Sequence, residues 1–195
     1  MRSAPIGFLF STRKLDELVT SVFEASIPTH GGRIAICGAS AIAAAVSAAI
    51  DRKNPSEILQ HAVQGAKLAE KYRPANSEED VADLIIRVYE DLSRRGTLSL
   101  EDIKDKYMPW KTPNIVALAI NLAVFTQSAE KTTLLAANLG GDTDSVASMG
   151  AAIAGAMSPQ TVNESWYQAV EEVNGNELLQ LAPKIAHLRN VIYPM

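Results

Sequence analysis

Apolar residues recur along this chain at the spacing of one helix face, with polar residues between them. Leu15, Leu18, Val19 and Val22 open the pattern, and "IPTHGGR" at 27–33 interrupts it. An alanine-rich helix through Ile50 follows. In "NPSEILQHAVQGAKLAEKY", Asn54 is placed to cap a helix, with Pro55 at its first position and Glu57 in its first turn. Ile58, Leu59, Ala62 and Val63 then form an apolar stripe that Ala66 and Ala69 extend. "SEEDVADLIIRVYEDLSRRG" repeats the logic: Ser77 caps, acids fill the first turn, Arg94 and Arg95 fill the last, and Gly96 stops the helix. A short helix over about 100–106 precedes the proline-punctuated loop "MPWKTPN". Further helices are predicted at 115–125, 129–137, 144–157, 163–173 and 177–189. No stretch alternates apolar and polar long enough to predict a strand. The fold class is therefore all-α.

Two of these helices, 35–49 and 146–156, consist mainly of Ala, Gly and Ser. Small side chains let backbones approach closely, so both are expected at the centre with other helices around them. Composition agrees with a packed domain: 195 residues, 47% of them hydrophobic, suffice for one sizeable core. The balance of 18 basic against 22 acidic residues, a net charge of −4, argues against nucleic acid or an anionic membrane as partner. The single cysteine, Cys37, sits inside an apolar helix without a basic neighbour and reads as packing; a reducing, cytoplasmic location is expected. The opening "MRSAPIGFLFSTRK" does not read as a signal peptide. The uncharged run at 34–50 is short and weakly hydrophobic for a membrane span, and is expected as a buried helix.

Chemistry concentrates at "NLGGDTDSVASMGAAIAGAM", 138–157. Asp142 and Asp144 lie one residue apart at the mouth of a helix that is otherwise almost uncharged. Three readings compete. Either aspartate could cap the helix, a task that needs only one of them. A glycine-rich turn entering a helix often cradles phosphate, but two carboxylates would repel it unless a cation intervened. Two carboxylates and the Ser145 hydroxyl offer only oxygen ligands, which suits a hard cation such as Mg²⁺, Mn²⁺ or Ca²⁺. The EF-hand pattern is excluded, because it would put Ala147 at the invariant glycine and Ile153 at the bidentate glutamate. Spacing alone leaves capping and a metal both open.

The stretch "LLAANLGGDTDSVASMGAAIAGAM" resembles the C-terminal metal motif of the ADP-ribosylglycohydrolases, which include the dinitrogenase-reductase-activating glycohydrolases. "MRSAPIG" and "PTHGGRIAICGASAIAAAVSAAI" resemble that family's middle segment: a Met-Arg-x-x-Pro-[Leu/Ile]-Gly loop, a helix, a Thr/Ser-His turn and an alanine-rich helix. The resemblance implies a compact, orthogonal multi-helix domain around a binuclear magnesium (or manganese) centre. It also implies hydrolysis, by Mg-activated water, of an N- or O-glycosidic bond at the ribosyl C1 of an ADP-ribosylated substrate. By residue-to-residue match, Asp142, Asp144 and Ser145 take the places of metal ligands, and His30 that of a substrate-cleft histidine. Arg2 falls at the cleft edge. The family's Thr-Asp-Asp metal triad, catalytic acidic residue and glycine-rich phosphate loop have no match in 1–195. The chain is thus expected to be a single, N-terminally incomplete domain carrying half of the binuclear site, with the catalytic residue unknown. ADP-ribose or an ADP-ribosylated substrate is the expected ligand, and a second chain or self-association is expected to cover the face left by the missing helices. A catalytically inactive ADP-ribose- or nucleotide-binding module, or a structural remnant, is the alternative.

The aromatic residues fit packing better than base stacking. Trp110 reads as a helix-packing anchor on its loop, and Trp166 and Tyr167 as core or rim of a late helix. "SEEDVAD" reads as a solvated acidic helix start rather than a metal site.

Overall fold

The computed structural model describes residues 1–72, 80–96, 100–107, 111–175 and 177–193. Among them are eleven α-helices and no strand: α1 (Ala4–Leu9), α2 (Leu15–Ser26), α3 (Arg33–Ile50), α4 (Pro55–Ala69), α5 (Val81–Arg95), α6 (Leu100–Tyr107), α7 (Thr112–Thr126), α8 (Ala129–Ala137), α9 (Thr143–Met157), α10 (Glu164–Val173) and α11 (Glu177–Ile192). The all-α class and most boundaries are those that the periodicity predicts.

Local chemistry accounts for the ends. Asn54 and Glu57 form a reciprocal capping box at α4: the Glu57 amide donates to the Asn54 side chain at 3.0 Å, and the Asn54 amide donates to the Glu57 carboxylate at 2.9 Å. Gly96, left-handed at φ 69°, ends α5. The first turn of α5 departs from the sequence reading. Asp80 caps the helix by accepting from the amides of Ala82 and Asp83, while Ser77 lies outside the described residues, as does Trp110. The "MRSAPIG" segment, expected as a loop, turns helical from Ala4. Pro5 is harmless in a first turn, and Gly7 lets α1 lie directly on α3, where a Cβ would collide with the Ala43 carbonyl.

The centre is α3, packed by α1, α2, α4, α7 and α9. By length and composition α3 could cross a membrane, but 78% of it is buried inside the protein, as the reading of a core helix predicts. Its small residues set the spacing. At Gly65 of α4, a Cβ would come within 2.8 Å of both the Ala44 Cβ and the Ser40 carbonyl oxygen, so only glycine allows this approach. Helix α7 is apolar all round and buried at every position over 115–124. Large side chains such as Leu18, Ile36, Leu118 and Ile153 are fully enclosed, each worth about 2 kcal/mol of transfer from water. Asn121 of α7 donates to the Ile85 carbonyl at 3.1 Å and so ties α5 to this core.

The last two helices behave differently. Trp166 on α10 is 42% exposed, so it belongs to the rim and not to the core. Helix α11 carries exposed Leu178, Leu179, Leu188, Val191 and Ile192 and is fastened through Arg189. That guanidinium donates to the carbonyls of Gly7, Phe8, Phe10 and Ser47 and to Asp51 at 2.6 Å. A cation is thereby set against the carbonyl ends of α1 and α3, the favourable end of both dipoles.

Candidate functional site

Helix α9 divides in character along its length. Its body is buried through Val146, Met149 and Ile153, whereas its start meets a surface cleft. Leu139 is buried and anchors the preceding turn. Gly140 and Gly141 then take left-handed φ values of 80° and 71°, a conformation that side chains resist. This glycine pair turns the chain so that Asp142 and Ser145 line a cleft of about 420 Å³.

The rest of the lining comes from residues far away in sequence. Arg2 and Ser3 precede α1, and His30 follows α2. Ile115 and Met149 are among the apolar residues of the lining. His30 is held by a turn in which its amide donates to the Ser26 carbonyl at 2.8 Å. Its Nδ1 lies 3.0 Å from the Thr29 hydroxyl, to which Arg2 also donates.

The two aspartates differ in how they meet the start of α9. Asp142 occupies the N-cap position of α9, yet its side chain makes no capping hydrogen bond. Asp144 is exposed and does not line the cleft, whereas Asp142 is half-buried and Ser145 is buried. The Asp142 carboxyl, by hydrogen bonding, and then the backbone amides of Ser145 and Asp144 hold the Asp144 carboxyl below the usual carboxylate range. The two carboxyl groups therefore lie against each other. Neither forms an ion pair with a basic side chain among the described residues, and the Ser145 hydroxyl has no hydrogen bond there. Two adjacent carboxyl groups, beside a hydroxyl with no hydrogen bond among the described residues, are a donor set that fits a hard divalent ion in kind. They supply only part of a shell: among the described residues no group of three His, Cys, Asp or Glu side chains is placed to hold a metal.

A larger cavity, about 1020 Å³, runs between α11, α1 and the end of α3. It shares no lining residue with the cleft. Its walls are mainly apolar, and two of its charged residues, buried Arg189 and half-buried Asp51, are already engaged with each other. The smaller cleft is the candidate site because the uncommitted polar groups gather there.

Sequence reasoning singled out Asp142, Asp144, Ser145, His30 and Arg2. The structure brings four of them to one cleft and leaves Asp144 at its edge. It missed Thr29, whose link to Arg2 spans 27 positions, and the Arg189–Asp51 pair, which spans 138. No local pattern marks either contact. Cys37 is buried with its thiol pushed up to about 11 by burial, which agrees with packing.

The sequence model of the ADP-ribosylglycohydrolase family matches residues 1–194. The uncharacterized protein YegU of Escherichia coli (strain K12) is 30% identical over 196 residues, which cover 97% of this chain. The chain spans 58% of that relative's length.

Proposed function

The chain belongs to the ADP-ribosylglycohydrolase family, and from that we propose that it acts in hydrolysis of an N- or O-glycosidic bond at the ribosyl C1 of an ADP-ribosylated substrate. The observation that carries the reading is the cleft itself. His30 and Arg2 line the same cleft as Asp142 and Ser145, although more than half the chain separates them. The first two offer donors and positive charge, the other two oxygen acceptors and negative charge. A phosphorylated sugar needs both.

Asp142, Asp144 and Ser145 are the residues that would hold Mg²⁺ or Mn²⁺ in this reading, in keeping with a family known for a metal-dependent site. Such an ion supplies positive charge that neutralises developing negative charge and orients the reacting groups. The chain's own residues position the ligand. The apolar lining around Ile115 and Met149 excludes water from one side, and His30 sits where it can hydrogen-bond a sugar or phosphate oxygen.

A second reading, a module that binds ADP-ribose without turnover, draws on the same geometry. Two carboxylates and a hydroxyl hold magnesium weakly on their own, since that ion keeps several waters when protein oxygens are few. Isothermal titration with Mg²⁺ and then ADP-ribose tests both. The chain is expected to bind each, and the Asp142→Asn, Asp144→Asn double variant to lose at least tenfold in Mg²⁺ affinity. A folded wild type that binds neither overturns both readings. Binding without release of ADP-ribose from an ADP-ribosylated peptide selects the second.

A further inference from the structure

The turn that carries His30 does more than hold the ring in place. Arg2 donates from Nη2 to the Thr29 hydroxyl. The same oxygen lies 3.0 Å from His30 Nδ1 and 3.5 Å from the Ser26 carbonyl oxygen. A hydroxyl has one proton to give and two lone pairs to receive. Arginine has no lone pair to offer and stays protonated, so it occupies a lone pair of Thr29. Among the described residues, the hydroxyl proton can then go only to His30 Nδ1 or to the Ser26 carbonyl. At 3.5 Å the second contact is at the limit of hydrogen bonding, and at 3.0 Å the first is well inside it. Donation to Nδ1 makes that nitrogen an acceptor, so a neutral imidazole must carry its proton on Nε2. Nε2 has no hydrogen-bond partner among the described residues.

We propose that Arg2, acting through the Thr29 hydroxyl, fixes neutral His30 as the Nε2–H tautomer and so gives the cleft an N–H donor for a ligand oxygen. Arg2 and Thr29 are positioning residues, and the group that meets the ligand is His30. The ligand half of the proposal, a phosphate or ribose oxygen of an ADP-ribosyl group, rests on the function proposed above; the tautomer does not. His61 provides an internal contrast. Its Nδ1 lies 2.9 Å from the Glu57 carbonyl oxygen, which can only accept, so His61 must be the Nδ1–H form. Two histidines of one chain are assigned opposite tautomers by the chemistry of their partners.

The test is a long-range proton–nitrogen NMR spectrum of the full chain with ¹⁵N-labelled histidine, recorded above the imidazole titration range, with His30→Gln to identify the resonance. Wild type and Thr29→Ser should show His30 as Nε2–H. Thr29→Val and Arg2→Met should release it into a mixture of both tautomers. His61 should stay Nδ1–H in every variant, which checks that the fold is intact. A wild-type His30 in the Nδ1–H form, or no change in Thr29→Val, overturns the relay. In titration with ADP-ribose, Thr29→Val should bind about tenfold more weakly, the loss expected for about 1.4 kcal/mol, and Thr29→Ser should bind as wild type does. Normal ADP-ribose binding with His30 as Nδ1–H sinks the relay and leaves the proposed function standing. The expected tautomer with no ADP-ribose binding sinks the ligand half together with that function.

Discussion

Helices α3 and α11 are of similar length, 18 and 16 residues, and both are rich in apolar side chains. One is enclosed from Ile36 to Ala49 almost without a break. The other leaves Leu178 and Ile192 more than half exposed. Apolar content is therefore not what buries a helix. The alanines and the one glycine of α3 let neighbours close in from several sides, so each small side chain becomes enclosed. The leucines of α11 stand about half exposed, and a few residues near its C-terminal end, Arg189 and Tyr193 above all, make the attachment. The core is held by fit and the arm by a charge.

Breaking the fit should have the largest effect. Gly65→Val would drive new atoms into Ser40 and Ala44 and should cost about 3 kcal/mol of global stability, the upper range for overpacking, read as a lower midpoint in urea. Arg189→Met should cost about 2 kcal/mol, the scale of hydrogen bonds to a charged group, and the loss should be local. Amide exchange should quicken over 177–193 and stay slow in α3 and α7. Equal loss of protection in α3 would show that arm and core unfold as one unit.

Acid should separate the two regions in the same way. Burial pushes the Asp51 carboxyl up, but hydrogen bonds from Arg189 and Thr12 outweigh it and leave the group below its ordinary value of 3.8. A carboxyl depressed in the folded state stabilises fully above its unfolded value, and the contribution fades as pH falls through the folded value. The α11 attachment should thus hold above about pH 4 and loosen below it. Helix α6 should follow at lower pH. Lys106 and Tyr107 hydrogen-bond Asp91 of α5 and hold its carboxyl down to about 2. Amide exchange between pH 5 and pH 2 orders these events. Loss of α3 protection before α11 would contradict the comparison.

The smallest effect sharpens it further. Cys37 is enclosed in α3 and its thiol is pushed up to about 11, so little thiolate exists near neutrality. A thiol reagent should label it slowly in wild type, equally slowly in Arg189→Met, and faster in Gly65→Val.

The sequence by itself determined the helices, because the periodicity of Leu15 to Val22, the Asn54–Glu57 capping pair and the Gly96 stop are local signals that act within one or two turns. It also marked chemical elements of the cleft, since the residue types of Gly140-Gly141-Asp142 fit a hard-ion contact and His30 stands in a turn that resembles the family's. The segment from Ala4 to Gly7 became helix rather than loop because α3 offers a surface that only Gly7 can approach, and that surface is not written in the segment. Which residues share the cleft, how Arg2 reaches Thr29, and where Arg189 finds four carbonyls and Asp51 were decided by the tertiary structure alone. Those contacts join residues 27 to 182 positions apart. A hydrogen bond depends on position in space to within a fraction of an ångström, and only the packed helices supply that.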